Sequence, residues 1–386
     1  KKALSSITEK DNNCRLIIEG AGSPVEMNLI HRDLTNLRIA RYVEANCILI
    51  ADIERGGVFA QIIGTLELLK PEEKKLIKGI IINRFRGDIS LFDEGKKWIE
   101  KKTKIPILGI LPSLNTIFPP EDSLDLIERN LTNTNPELLV GIIKFPSISN
   151  FSDLDPLENE SGIQLSWIKS CQNLERFDLI ILPGSKQTIK DITFLKESGL
   201  FKNIQDYSKR NGNILGICGG LQMLGEYLED PYSKEGLGAA TSQKELNLGI
   251  GLLPLKTIFK KNKITKRTLC DSNWPCDTKV EGFEIHNGIT EIIRKGKDKN
   301  LKNIFKQNKL GWYIDDNEKG SIAGIYVHGI FDNDLWRINY LNFIRNKKGI
   351  QILDKKYKPY KIQREAIINN LANQFKKHIN ITSLLN

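Results

Sequence analysis

One stretch limits what this chain can fold into: Asn213-Ile214-Leu215-Gly216-Ile217-Cys218-Gly219-Gly220-Leu221-Gln222-Met223-Leu224-Gly225. An apolar run ends at Gly216, a lone cysteine follows, and two glycines precede an apolar pattern of helical spacing. Leu221, Leu224 and Leu228 fall at i, i+3 and i+7, one face of a helix. The pattern Gly-x-Cys-x-Gly at Gly216, Cys218 and Gly220 predicts a strand, a sharp turn and a helix, with the cysteine on the turn as the nucleophile. Glycine is required because side chains flanking a strained turn would strike the strand or the helix. At a helix N-terminus, free N–H groups and the macrodipole favour the thiolate. A buried cysteine at a tight strand–helix junction would give the same local pattern, so partners elsewhere decide between the two.

At 386 residues the chain is long enough for two domains, and its 40% hydrophobic content is ample for two cores. No apolar run approaches the roughly 20 residues of a membrane span. No secretory signal pattern is present, and the first residue is Lys1, so the chain reads as one whose start lies upstream. The six cysteines are scattered without a CxxC pair, which predicts reduced thiols in a cytoplasmic protein and no zinc site. The net charge of +10 suits anionic ligands. Its lysines are spread out and rarely interleaved with aromatics, which argues against a nucleic-acid surface.

Apolar runs alternate with amphipathic stretches from the start to about residue 112. Strands are predicted at Cys14–Glu19, Cys47–Ala51, Gly79–Ile82 and Ile105–Pro112. Helices are predicted over Leu34–Ala45, along the Phe59, Ile62, Ile63, Leu66 and Leu69 face, and around Trp98. The polar stretch at 128–137 marks a boundary. The rhythm restarts with strands at Leu138–Lys144, Leu179–Leu182, Ile214–Ile217, Leu252–Ile258, Glu281–Ile285 and Ile322–Val327. A lysine-rich tail follows, with a helix over Gln363–Phe375. Continuous apolar strands alternating with helices predict α/β architecture: two doubly wound parallel-sheet domains, with ligands at the carboxyl ends of the strands. The expected division is 1–130, a linker at 131–138, a second domain at 139–345, and a tail at 346–386.

Two stretches point at Cys218. Leu182-Pro183-Gly184-Ser185-Lys186 ends a strand in a glycine loop whose N–H groups suit an oxyanion hole, with Gly219 as the second donor. Tyr326-Val327-His328-Gly329-Ile330-Phe331 places a histidine at another strand end, as thiol acyl transfer requires. This set resembles the class I glutamine amidotransferases from about 139 to 345. The resemblance implies that Cys218 attacks the side-chain amide of glutamine, that His328 protonates departing ammonia and then activates water, and that Gly184, Gly219, Gly220 and Gln222 hold the oxyanion and the glutamine. The wider pattern has glutamate two positions after the histidine, where this chain has Ile330. Asp332 and Glu284 are the candidates to orient His328 instead.

Four more segments extend the reading to nearly the whole chain: Glu19–Leu29, Asp52–Ala60 and Ile82–Asp88 in the first domain, and Gly282–Gly288 in the second. All are similar to segments of the cobyric acid synthase family, apart from Glu54, where aspartate is expected. That resemblance implies a P-loop, dethiobiotin-synthetase-like domain joined to the amidotransferase. It implies ATP- and magnesium-dependent amidation of the b, d, e and g carboxylates of an adenosylated cobyrinic acid a,c-diamide. Glu19 would help hold magnesium and Asn83 would read the adenine. Asp52, Arg55, Gly56 and Gly57 would lie near the junction of phosphate and substrate. A solvated carboxylate at Glu19 and a helix cap at Asn83 are the plainer readings.

No Gly-x4-Gly-Lys-[Ser/Thr] occurs in the chain, so under this resemblance the phosphate loop is expected upstream of Lys1. The rivals are an a,c-diamide synthase of the same ring, a ParA-like ATPase switch, and a free-standing glutaminase or γ-glutamyl hydrolase. The ATPase switch leaves Cys218 and His328 unexplained, and the Asp52–Ala60 segment favours cobyric acid synthase over the first rival.

Overall fold

The computed structural model describes residues 16–114, 136–235, 248–293, 300–307, 309–315, 320–353, 359–380 and 382. Two compact units emerge, one of residues 1–117 and 365–386, the other of residues 118–364. Among the described residues no helix is long and apolar enough to cross a membrane. The boundary expected at 128–137 lies largely outside the described residues.

In the first unit, α1 (Leu37–Val43), β1 (Cys47–Asp52), α2 (Val58–Leu68), β2 (Ile77–Phe85), α3 (Asp93–Thr103) and β3 (Ile107–Pro112) follow one another. The strands form a parallel sheet in the order β1-β2-β3. Ile80, Ile81 and Ile82 in the middle strand are 0–1% exposed, as expected of a strand covered on both faces. One face packs on Val58, Ile62 and Leu66 of α2. The other, at Ile81 and Leu108, is closed by Ile379, whose backbone bridges Gly109 at the end of α8 (Tyr360–His378). That cover does not extend to the outward face of β1, where Ile48 and Ile50 are exposed.

Two expectations change here. Leu16–Glu19 is irregular and exposed, and the rest of the strand expected at Cys14–Glu19 lies outside the described residues. The helix expected from Leu34 begins at Leu37 because the Asp33 carboxylate accepts the N–H groups of Thr35 and Asn36, folding those residues into a turn.

The second unit is built on a seven-stranded sheet. Its strands are β4 (Leu138–Ile143), β6 (Ile163–Ile168), β7 (Leu179–Leu182), β9 (Ile214–Ile217), β13 (Leu301–Asn303), β14 (Gly311–Asp315) and β15 (Ser321–Ile325), in the order β13-β14-β15-β9-β7-β4-β6. Five strands are mutually parallel, and β13 and β14 join antiparallel at one edge. Two short strands, β5 (Ile148–Ser149) and β8 (Gly184–Ser185), pair beyond the sheet. Helices α4 (Thr188–Glu197), α5 (Leu200–Lys209) and α7 (Asp334–Lys348) bury Ile189, Ile204 and Trp336 in the core.

The strands expected at Leu252–Ile258 and Glu281–Ile285 are parts of one long antiparallel hairpin, β11 (Leu255–Ser272) and β12 (Thr278–Ile292), flanked by β10 (Tyr227–Glu229). The middle of β11 is Lys260-Lys261-Asn262-Lys263, a solvated stretch without an apolar pattern to reveal it. The helix after Cys218, α6, runs only Gly219–Leu224, and Leu228 belongs to β10 rather than to the helical face expected for it.

Candidate active site

Strand β9 is buried throughout and ends in the turn at Cys218, whose backbone takes φ 52°, ψ −102°. A non-glycine residue in that region is strained, and the surroundings hold it there. The Cys218 N–H donates to the Ile325 carbonyl at 2.7 Å, and its carbonyl accepts the Gln222 N–H at 3.1 Å. An added Cβ at Gly216 would lie 2.6 Å from the Gly220 carbonyl carbon, and one at Gly220 would collide with the Leu182 carbonyl. The glycines expected of the turn are therefore required by contact, while the strained backbone belongs to Cys218 itself.

The glycine loop and the histidine converge on this turn. A Cβ on Gly219 would lie 2.8 Å from the Ser185 nitrogen, and one on Gly184 would lie 3.2 Å from His328 Cε1. His328 follows β15 and is fully buried, its ring stacked on Phe283 at a centroid distance of 5.2 Å. Strand β12 holds both partners: Phe283 exchanges backbone hydrogen bonds with His328, and the Ile285 carbonyl accepts from the Cys218 thiol at 3.7 Å. His328 Nε2 is buried and carries no hydrogen bond. Burial alone would depress the imidazole, but the Asp153 carboxylate, together with the nearby Cys218 thiol, holds it up at about 10. The arrangement can support a thiolate–imidazolium pair.

Neither residue expected to orient His328 touches it. Glu284 accepts from Thr268 and pairs with Lys266 and His286. Against its own desolvation, these partners hold its carboxyl at about 2. Asp332 lies in the turn after His328, and burial, then the charge of Asp153, pushes it up to about 6. The group at His328 Nδ1 is Asp153, at 2.7 Å, a residue that sequence reasoning missed. It sits 175 residues earlier, in a stretch where nothing local marks a buried carboxylate. The Gln222 side chain, expected to bind glutamine, is 2% exposed and tied at both ends: its oxygen accepts from Thr188 and its nitrogen donates to Tyr326. It links α6 to α4 and to the strand end before His328.

In the first unit, Asp52 and Asn83 are register partners at the carboxyl ends of β1 and β2. Asp52 accepts the Glu54 N–H at 2.9 Å and pairs with Arg84 at 3.5 Å, while Arg86 pairs with Glu54. Arg55 is exposed on the following turn. Gly56 and Gly57 both have positive φ, 77° and 71°, with open space where side chains would stand, and Gly57 caps α2. Glu19 is exposed and makes no hydrogen bond or ion pair among the described residues. The Gly20-Ala21-Gly22 turn beside it is pinned by Asn36, which bonds both the N–H and the carbonyl of Ala21. No group of three carboxylate, histidine or cysteine side chains placed to hold a metal ion occurs among the described residues.

Comparison with known proteins gives this geometry a family. Residues 139–336 match the CobB/CobQ-like glutamine amidotransferase domain, and residues 2–121 match an AAA domain. Cobyric acid synthases of Prochlorococcus marinus strains AS9601 and MIT 9515 are each 66% identical to the whole of this chain, which covers 75% and 76% of their lengths. The cobyric acid synthase of strain NATL2A is 52% identical, again over the whole of this chain and 76% of its own length. On this identity the chain belongs to the cobyric acid synthase family, glutamine-hydrolysing amide ligases of cobalamin biosynthesis.

Proposed function

We propose that the second unit releases ammonia from glutamine at Cys218 and that the first unit activates its acceptor with ATP. The Cys218 thiolate attacks the side-chain amide carbon of glutamine. The N–H groups of the Gly184 loop and Gly219 stabilise the tetrahedral oxyanion. His328 gives its proton to the leaving ammonia, and the resulting neutral imidazole then takes a proton from the water that hydrolyses the thioester. A carboxylate is a poor acyl donor, so phosphoryl transfer from ATP is needed before ammonia can form an amide. The acceptors in this reading are the b, d, e and g carboxylates of adenosylated cobyrinic acid a,c-diamide.

For ATP, Asn83 would face the base, and Asp52, Arg55, Gly56 and Gly57 would border the phosphates. The open positive-φ pair before α2 fits a backbone approach to an anion. Magnesium accompanies ATP in this reading as a charge-neutralising ion. Glu19, exposed and without a hydrogen bond among the described residues, would help hold it.

The observation that carries the proposal is the strained Cys218 turn facing a buried His328 with an unpartnered Nε2. Glutamate release from glutamine tests it. Cys218→Ser is expected to lower kcat by at least about 10^3-fold while, in an enzyme that also carries a phosphate loop, amidation driven by ammonium persists. Equal loss with both nitrogen sources would make Cys218 a structural thiol.

A further inference from the structure

Position 330, where the wider amidotransferase pattern has its glutamate, holds a fully buried isoleucine that cannot accept a hydrogen bond. The carboxylate facing His328 comes from the other end of the unit. We propose that Asp153 is the positioning residue of the glutaminase base, and that the segment Ser147–Asp153 fixes the base and the oxyanion loop as one assembly. This rests on the glutaminase reading above.

Both oxygens of Asp153 are engaged: Oδ2 meets His328 Nδ1 at 2.7 Å, and Oδ1 accepts the Gly329 N–H at 2.8 Å. One grip sets the rotation of the ring and the other holds the backbone that carries it. An ionised carboxylate only accepts, so Nδ1 must carry the hydrogen, which leaves Nε2 for proton exchange. Asp153 is 4% exposed, so little solvent weakens the pair.

The same segment builds the oxyanion side. Ile148 and Ser149 pair with Ser185 and Gly184, and the Ser147 carbonyl accepts the Lys186 N–H at 2.8 Å. The Asp191 carboxylate accepts both the Ser147 N–H and the Ser185 hydroxyl. Asn150, at φ 50°, then turns the chain so that Asp153, three residues on, reaches His328. A shift of this segment would therefore displace both halves of the site together. The titratable groups acting on His328 are Asp153 and Cys218, and the charge of Asp153 also bears on Asp332.

Asp153→Asn retains the shape but not the charge. In the 386-residue chain it is expected to lower glutaminase kcat about 10^2- to 10^4-fold with KM changed less than about three-fold. Asp153→Glu is expected to recover part of that loss, and the pH at which iodoacetamide alkylates Cys218 is expected to rise in the Asn variant. A second measurement needs no variant of Asp153. The chain has four histidines, so histidine-selective 15N labelling, with His328→Asn for assignment, reads the ring directly. A His328 ring with Nδ1 protonated at pH 8 supports the proposal. A neutral ring protonated only at Nε2, or a wild-type kcat in Asp153→Asn, overturns it. Absence of glutamine hydrolysis in the unmutated chain would instead remove the functional reading, while the nitrogen spectrum would still decide what Asp153 does to the ring.

Discussion

A side chain at Gly220 would collide with the Leu182 carbonyl, whereas one at Gly57 would meet nothing within 4 Å. Both glycines stand just before or within the first turn of a helix, at the carboxyl end of a parallel strand. At the thiol site the glycines make room for other protein: Gly216, Gly219 and Gly220 let the strand, the turn and the loop touch. At the β1 end they supply a conformation, φ above +70°, around space the protein leaves empty. Charges follow the same division. Asp153 and His328 are buried together, while the Arg84–Asp52 pair is half exposed on both sides. The site proposed to form a covalent intermediate is enclosed by packing; the surface proposed to meet a large anion is shaped but open.

The largest effect that would break this comparison is expected at Gly220. The Leu182 carbonyl cannot retreat, because β7 is held on both sides by β4 and β9. Gly220→Ala should destabilise the second unit by about 3 kcal/mol or more and abolish glutamine hydrolysis. Thermal unfolding that leaves this unit within a degree of the parent would mean the turn can relax and is not close-packed.

How much of this was legible follows the same line. The turn at Cys218, the loop at Gly184 and His328 could be read because their signals are local: a glycine spacing and a strand end. β7 and β9 began and ended where the apolar runs did. Asp153 could not be read, since its partner is 175 residues away and its burial is produced by tertiary packing alone. Gln222 is marked by its place in the motif, whereas its hydrogen bonds to Thr188 and Tyr326 arise from packing that no spacing reports. The hairpin reads as two separate short strands because the lysine-rich middle of β11 carries no apolar pattern. In the first unit the strand tips were legible as glycine and charge clusters, while Asp33 and Asn36, which set the start of α1 and pin the Ala21 turn, act through side-chain bonds that periodicity does not report.

A smaller effect concerns charge in the packed region. Glu235 is 4% exposed and accepts the Ile189 N–H at 3.4 Å, near the start of α4. Burial pushes its carboxyl up to about 7; the N–H groups of Ile189 and Thr188 oppose the shift, and the charges of Asp230 and Asp191 add to it. An acid raised above its unfolded value binds its proton more tightly when folded. Stability therefore falls as pH rises from about 4.5 to about 7 and stays lower above that window. Glu235→Gln keeps an acceptor and removes the charge, so it should raise stability at pH 8 by about 1–3 kcal/mol and lose that gain below pH 4.5. By contrast, Arg84→Gln in the exposed pair should change stability by less than about 1 kcal/mol at either pH. A gain from Glu235→Gln that does not depend on pH would show that the carboxylate is solvated and that this region is less closed than its packing indicates.

The smallest effect sharpens the comparison most, because it separates conformation from space. Gly57 caps α2 at φ 71°, ψ 15°, where an L side chain is strained. With open space around it, Gly57→Ala should cost only that backbone strain, about 1 kcal/mol, in the first unit. Asparagine enters the left-handed region more readily than alanine, so Gly57→Asn should cost less than Gly57→Ala even though it is larger. At Gly220, where contact decides, the order must reverse and the larger residue must be worse. Glutamine hydrolysis at Cys218 should be unchanged in both Gly57 variants. If Gly57→Asn proves the more damaging of the two, the space over α2 is filled by protein in solution, and the open cradle assigned to the phosphates of ATP is not there.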